Sequence, residues 1–295
     1  MTSSRLAAAA LALGALAAAA PAAQADQLLA AAPGAQDLDV GGGYAVWSAP
    51  RPDGRFDLVV RAPDGTQRRP VAPFGAPVNA SIGSDRFGFP RALLAVYSRC
   101  AGASTISGCD VFALDLRTDQ ERPVGALASR TYSETAPSVQ SGIWTFVRRG
   151  GVRAERKGVW SYRQGRPTRR ITSTLARETV TNGSRVAYTY SSSRGGGVAI
   201  RRLSGEGDVL TPATRLQGVP SSLDLTRYNA TWLHGGKGFI TTSFGGSGRD
   251  DGRSAVESRR PLPAGTVSLA VSTTVLHASV LTGEGLVALS PRIYP

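Results

Sequence analysis

The chain has 295 residues, with 34 lysines and arginines against 21 acidic residues, a net charge of +13, two cysteines and two histidines. That length can bury one sizeable core, while Cys100, Cys109, His234 and His277 have no zinc-like spacing, so no metal centre and no cofactor is expected. Lys157 and Lys237 are the only lysines, so the positive charge is almost all arginine; this fits a GC-rich genome as well as attraction to polyanions.

Taken in order, the chain opens with a cationic segment ending at Arg5, an apolar run over 6–20, Pro21 and the small-residue site Ala23-Gln24-Ala25. This is the order of a secretory signal peptide over 1–25, cleaved after Ala25. The apolar run is shorter than the roughly 20 residues that span a bilayer, and none follows it, so no transmembrane segment is expected after cleavage. The destination is secreted, extracellular or cell-envelope. Nucleic acid is therefore not a physiological partner, although polyanions should bind in vitro. In an exported chain Cys100 and Cys109 read as a disulfide across a short loop, contributing on the order of 2–3 kcal/mol.

From residue 26 onward the period is two, which is sheet and not helix. Residues 38–40, the Gly41-Gly42-Gly43 turn, 44–48, 56–62 and 67–72 give four strands joined partly by Asp53-Gly54 and Asp64-Gly65 turns. The second group uses 92–100 and 110–116 on either side of the cysteine loop. The third uses 137–140, 143–148, 157–162 and 168–172, with a long basic hairpin over 149–156. The fourth takes 178–181, 186–191, 197–203 and 208–211. The fifth takes 222–225, 230–234, 238–244 and a strand near Ala255, with a glycine-rich loop over 245–253. The sixth takes 267–271, 274–281 and 285–290. Strand and aromatic markers recur at Trp47, Tyr97, Phe146, Tyr188 and Trp232, with His277 in the last copy.

Six copies at roughly 40–50 residues predict an all-β fold, a six-bladed β-propeller of four-stranded antiparallel blades, with seven blades as the alternative count. Residues 26–295 then form a single domain. Either residues 27–31 or the tail 291–295 would close the ring as the outer strand of the last blade. The first repeat resembles those of TolB-like, WD-repeat-like β-propellers. The resemblance is carried by Tyr44-Ala45-Val46-Trp47-Ser48, Arg51-Pro52-Asp53-Gly54, Phe56-Asp57-Leu58-Val59-Val60, Pro63-Asp64-Gly65 and Arg68-Arg69-Pro70-Val71. It implies a six-bladed ring and a binding role more than any chemistry.

No catalytic constellation stands out. There is no Gly-x-Ser-x-Gly elbow, and Gly235-Gly236-Lys237-Gly238 lacks the full spacing of a phosphate loop. Asp250-Asp251 in the glycine-rich loop could meet calcium, but a solvated loop is the favoured reading. The acidic candidates are Asp39, with Asp37 two residues before it, and Asp224 in the matching place of the fifth repeat, with Glu178 nearby. On channel-lining strands they could form the carboxylate pair of a carbohydrate-active hydrolase or lyase. Solvation of the channel or bonding to turn amides is the plainer role. Hairpins between second and third strands emerge on one face of a propeller, and here they carry Arg51, Arg55, Arg99, Arg148, Arg149, Arg153, Arg156, Lys157, Arg194 and Lys237. Their carboxylates are Asp53, Glu155 and Glu284. Arginine forks suit carboxylate and phosphate, so Arg149, Arg153, Arg156 and Lys157 are the candidate ligand-binding residues. The expected partner is a protein or an anionic cell-envelope polymer.

Overall fold

A computed structural model describes residues 27–85, 92–104, 106–151, 153–192, 195–204, 220–225, 230–234, 237–240, 262–263, 265–271 and 278–288. The leader, Arg194, the expected strands at 208–211 and near Ala255, the glycine-rich loop with Asp250 and Asp251, His277 and the tail 291–295 lie outside the described residues.

The strands run β1 (Gln27–Ala31), β2 (Gln36–Gly41), β3 (Tyr44–Pro50), β4 (Phe56–Arg61), β5 (Gln67–Arg68), β6 (Ser81–Ser84), β7 (Leu93–Arg99), β8 (Asp110–Asp115) and β9 (Glu121–Pro123). They continue through β10 (Ser133–Gln140), β11 (Ile143–Arg149), β12 (Gly158–Arg163), β13 (Arg169–Thr172), β14 (Thr179–Thr181), β15 (Arg185–Ser192) and β16 (Gly195–Arg202). The last are β17 (Ser221–Leu225), β18 (Ala230–His234), β19 (Lys237–Ile240), β20 (Ser268–Val271), β21 (Ala278–Leu281) and β22 (Gly285–Ala288). They pair into antiparallel sheets, which in chain order are β2-β3-β4-β5, β6-β7-β8-β9, β10-β11-β12-β13, β14-β15-β16, β17-β18-β19 and β20-β21-β22-β1. The first strands touch in sequence, β2 with β6, β6 with β10, β10 with β14, β14 with β17, β17 with β20, and β20 returns to β2. The sheets are therefore blades around a common axis, and the fold is a propeller. β1, not the tail, is the outer strand paired with β22.

Local chemistry explains the blades. The Asp-Gly turns fall as the residue types require: Gly54 and Gly65 take φ of 76° and 90°. The preceding aspartates accept from Arg55 N at 3.1 Å and Thr66 N at 2.9 Å. The described marker aromatics all sit on the second strand of a sheet and are buried. Each packs on the sheet before its own. Trp47 meets Ala270, Leu281 and Leu286, Tyr97 meets Val46, Leu58 and Val60, and Trp232 meets Ala187, Val198 and Ile200. Phe146 and Tyr188 repeat the arrangement against the second and third sheets. The marker is thus the mortar between blades, and each such burial stabilises by about 2–3 kcal/mol. Close approach shows at Gly83, where a Cβ would collide with the Val139 carbonyl oxygen of the next sheet.

Cys100 and Cys109 form a disulfide with S–S 2.00 Å, closing the hairpin between β7 and β8. The bridged loop folds over the turn before β6, where a Cβ at Gly75 would strike the Gly102 carbonyl.

Candidate functional site

The channel is built by an irregularity shared by three first strands. β2, β10 and β17 each carry one extra residue relative to their partner, between Gln36 and Asp39, Thr135 and Ser138, and Ser221 and Asp224. The residue that absorbs the bulge has positive φ: Asp37 at 56°, Ala136 at 47° and Ser222 at 53°. The bulge breaks the simple alternation expected of Asp37 and Asp39. It brings Asp39, Ser138 and Asp224 into equivalent places in alternate sheets.

Each of these three side chains reaches the next sheet. Asp39 accepts from Val40 N at 2.7 Å through Oδ1 and from Ile82 N at 2.6 Å through Oδ2. Asp224 accepts from Leu225 N at 2.6 Å and Val271 N at 2.7 Å in the same way. Ser138 Oγ accepts from Thr181 N at 3.1 Å. The remaining junctions serve the N–H just after the bulge. Leu38 N donates to Ser268 Oγ at 2.9 Å, and Leu223 N to Glu178 Oε2 at 2.7 Å. At the third such position stands Pro137, which has no N–H to satisfy; there Ser81 Oγ donates to Ser138 Oγ at 3.3 Å. A belt of side-chain hydrogen bonds therefore runs from sheet to sheet right round the axis.

Asp37, Asp39, Glu178 and Asp224 line a channel space of about 30 Å³, room for one or two waters and not for a sugar ring. Burial dominates their titration and disfavours the charged form. The Asp39 carboxyl is pushed well above its usual range by burial and then by Asp224. Burial raises Asp224 to about 6 and Glu178 to about 7, and it raises Asp37 as well. The sequence-predicted pair is thus brought together, and both carboxylates are occupied by backbone donors. Among the described residues no group of three or more His, Cys, Asp or Glu side chains is placed to hold a metal ion.

The hairpin face departs from a uniform basic surface, because most of its arginines have partners. Arg51 and Arg55 clasp Asp53 and Asp57 at 3.3, 3.1 and 2.8 Å, and the Asp53 carboxyl falls to about 2 through its bonds from Arg55 and Arg51. Arg99 pairs with Glu121 at 2.7 Å and lies over the Phe74 ring. Arg148 pairs at 3.0 Å with Glu134, which is fully buried, and stacks on Trp160. Arg149 turns inward, donating to Thr135 Oγ1 at 3.2 Å and to the Ala176 carbonyl. Its charge is too near the core to stand on the rim. Arg153 and Arg156 are exposed and Lys157 is partly buried, on and beside a 3-10 turn over Ala154–Arg156. Among the described residues these three make no ion pair. The side chain of Lys237 lies outside the described residues.

A cavity of about 700 Å³ opens on this face, walled by the disulfide loop, the turn before β6, the end of β11 and the segment entering β14. It meets the channel at Asp37, Asn79, Ala136 and Glu178. Sequence reading missed this cavity. It is assembled from three connections far apart in the chain, and Arg177, on its wall, carries no motif.

No protein-family model matches the sequence, and no curated protein matches it. Among solved structures, similarity extends to a chain of a mitotic checkpoint complex (12% identity, 98% of this chain and 99% of that one, TM-score 0.55). It extends also to a chain of a nidogen/laminin complex (10% identity, 78% and 82%, TM-score 0.51). These two bear on the fold alone. The chain is a β-propeller. TolB from Acinetobacter baumannii is also similar (15% identity, TM-score 0.46), with 77% of this chain aligned and 54%, about half, of that protein's length spanned. Function is left to the site.

Proposed function

We propose that this chain is an exported, non-catalytic six-bladed propeller, residues 26–295 after removal of 1–25, that binds an anionic partner through its hairpin face. The partner is an envelope polymer or the acidic patch of a protein. The observation that carries this reading is the hairpin between β11 and β12. It presents Arg153 and Arg156 to solvent, while the hairpins of the first two sheets spend Arg51, Arg55 and Arg99 on Asp53, Asp57 and Glu121. The disulfide suits an oxidising compartment, and no helix of the described residues is long and apolar enough to cross a membrane. Two of the similar folds come from protein complexes, which agrees with a protein partner.

The test is binding to polyglutamate, titrated at low and high salt, beside an Arg153→Glu/Arg156→Glu variant. Saturable, salt-sensitive binding that the variant loses is the expected result; binding that the variant keeps refutes a defined face.

A second reading, a hydrolase or lyase using Asp39 and Asp224, draws support from their shared channel and raised pKa values. The small channel space and the N–H bonds on both carboxylates weigh against it.

A further inference from the structure

The cavity on the hairpin face carries more than the rim does, and its chemistry is divided. One wall holds Arg149 and Arg177 with Thr135; the other holds Phe74, Pro77 and Ile106. Arg149 bonds the carbonyl of Ala176, the residue before Arg177, and burial, then the positive charge of Arg177, holds the Arg149 guanidinium below its ordinary pKa. Two like charges side by side, one of them partly desolvated, are a standing cost that an anion between them relieves. Arg149 donates to neutral oxygens, a hydroxyl and a carbonyl, whereas Arg51, Arg55, Arg68, Arg69, Arg99, Arg122 and Arg148 meet carboxylates. The Arg177 backbone is fixed, its N–H donating to the buried Thr189 Oγ1 at 3.0 Å. Opposite, Ile106 is 58% exposed, an apolar side chain at the mouth of a space whose volume is that of a small-molecule site.

We propose that this cavity binds a small organic anion, a carboxylate or phosphate on an apolar body, with the anionic group between Arg149 and Arg177 and the apolar part against Phe74, Pro77 and Ile106. The site is separate from Arg153 and Arg156 and does not rest on the polymer reading. The charged groups facing it are Arg99, itself paired with Glu121, Arg149, Arg177, and at its inner end Asp37 and Glu178. Burial raises both of those carboxyls, Glu178 to about 7, so acidification through that value removes the Glu178 charge from the floor, and an anion that stays ionised binds more tightly at about pH 6 than at about pH 8.

The probes are 3-phenylpropionate, its alcohol 3-phenylpropan-1-ol, and sulfate, titrated calorimetrically into the mature disulfide-bonded protein at constant ionic strength. The expected result is saturable one-site binding of 3-phenylpropionate, with the alcohol and sulfate each much weaker. Arg177→Gln should weaken that binding roughly ten- to a hundredfold, the range of a charge-assisted hydrogen bond. Arg149 also holds the Ala176 carbonyl, so Arg177→Gln is the decisive variant. Arg153→Gln/Arg156→Gln serves as the rim control and leaves this binding unchanged, whatever it does to polyglutamate. No saturable binding of 3-phenylpropionate, binding indifferent to Arg177→Gln, or sulfate binding as tightly as 3-phenylpropionate each overturns the proposal.

Discussion

At the scale of single residues, the buried pair Glu134–Arg148 shows how much depends on one partner. Glu134 Oε1 takes Arg148 Nε at 3.0 Å; burial raises the Glu134 carboxyl to about 7, and Arg148 is the main influence pulling it down. Arg148→Ala leaves a buried carboxylate uncompensated and should destabilise by about 3 kcal/mol near neutral pH. The sign with pH follows from Glu134 being raised: protonation favours the folded state, so the loss is larger at about pH 8 than at about pH 5. Chemical denaturation at both pH values checks this, and an equal loss at both contradicts it. Ala136 is a second case. Its φ of 47° is unfavourable for an L side chain, so Ala136→Gly should raise stability by about 1 kcal/mol, seen as a higher melting temperature. Neither feature was legible in the sequence. Pairing depends on which hairpin arginine folds inward, and a bulge leaves no mark on composition.

At the scale of elements, the strands and their aromatic markers were readable because period two and the spacing of Trp47, Tyr97, Phe146, Tyr188 and Trp232 are written directly in the chain. Ring closure was not. Gln27-Leu28-Leu29-Ala30-Ala31 and the tail have similar strand character, and only the register Leu28 with Val287 and Ala30 with Leu286 decides for β1. A chain starting after Ala31 exposes the edge of β22 and uncovers part of the Trp47 core. Its thermal unfolding should come at lower temperature and its monomer should aggregate by light scattering; an unchanged midpoint would argue that β1 is dispensable. The disulfide acts locally. Cys100→Ser/Cys109→Ser should cost on the order of 2–3 kcal/mol and weaken 3-phenylpropionate binding, because the bridged loop is a wall of the cavity.

At the scale of the molecule, the same carboxylates that first suggested chemistry hold the ring together. Asp39 and Asp224 were visible in the sequence at matching places four repeats apart. Ala136-Pro137-Ser138 was hidden because a serine and a proline stand where the others have an acid and an N–H. The raised carboxyls of Asp224 and Glu178 contribute stability that is complete below their unfolded pKa values near 4 and is lost as pH rises through about 6 to 7. The melting temperature should therefore fall across that window, and Glu178→Gln should flatten the fall. The direct test of the whole account sets channel against face in one experiment, measuring melting temperature and polyglutamate binding for Asp39→Ala/Asp224→Ala and for Arg153→Glu/Arg156→Glu. The belt variant should lose several degrees in melting temperature and keep its binding while folded, whereas the face variant should keep its melting temperature and lose binding. A belt variant that melts like the wild type, or a face variant that still binds, contradicts the division of labour between a structural channel and a binding face.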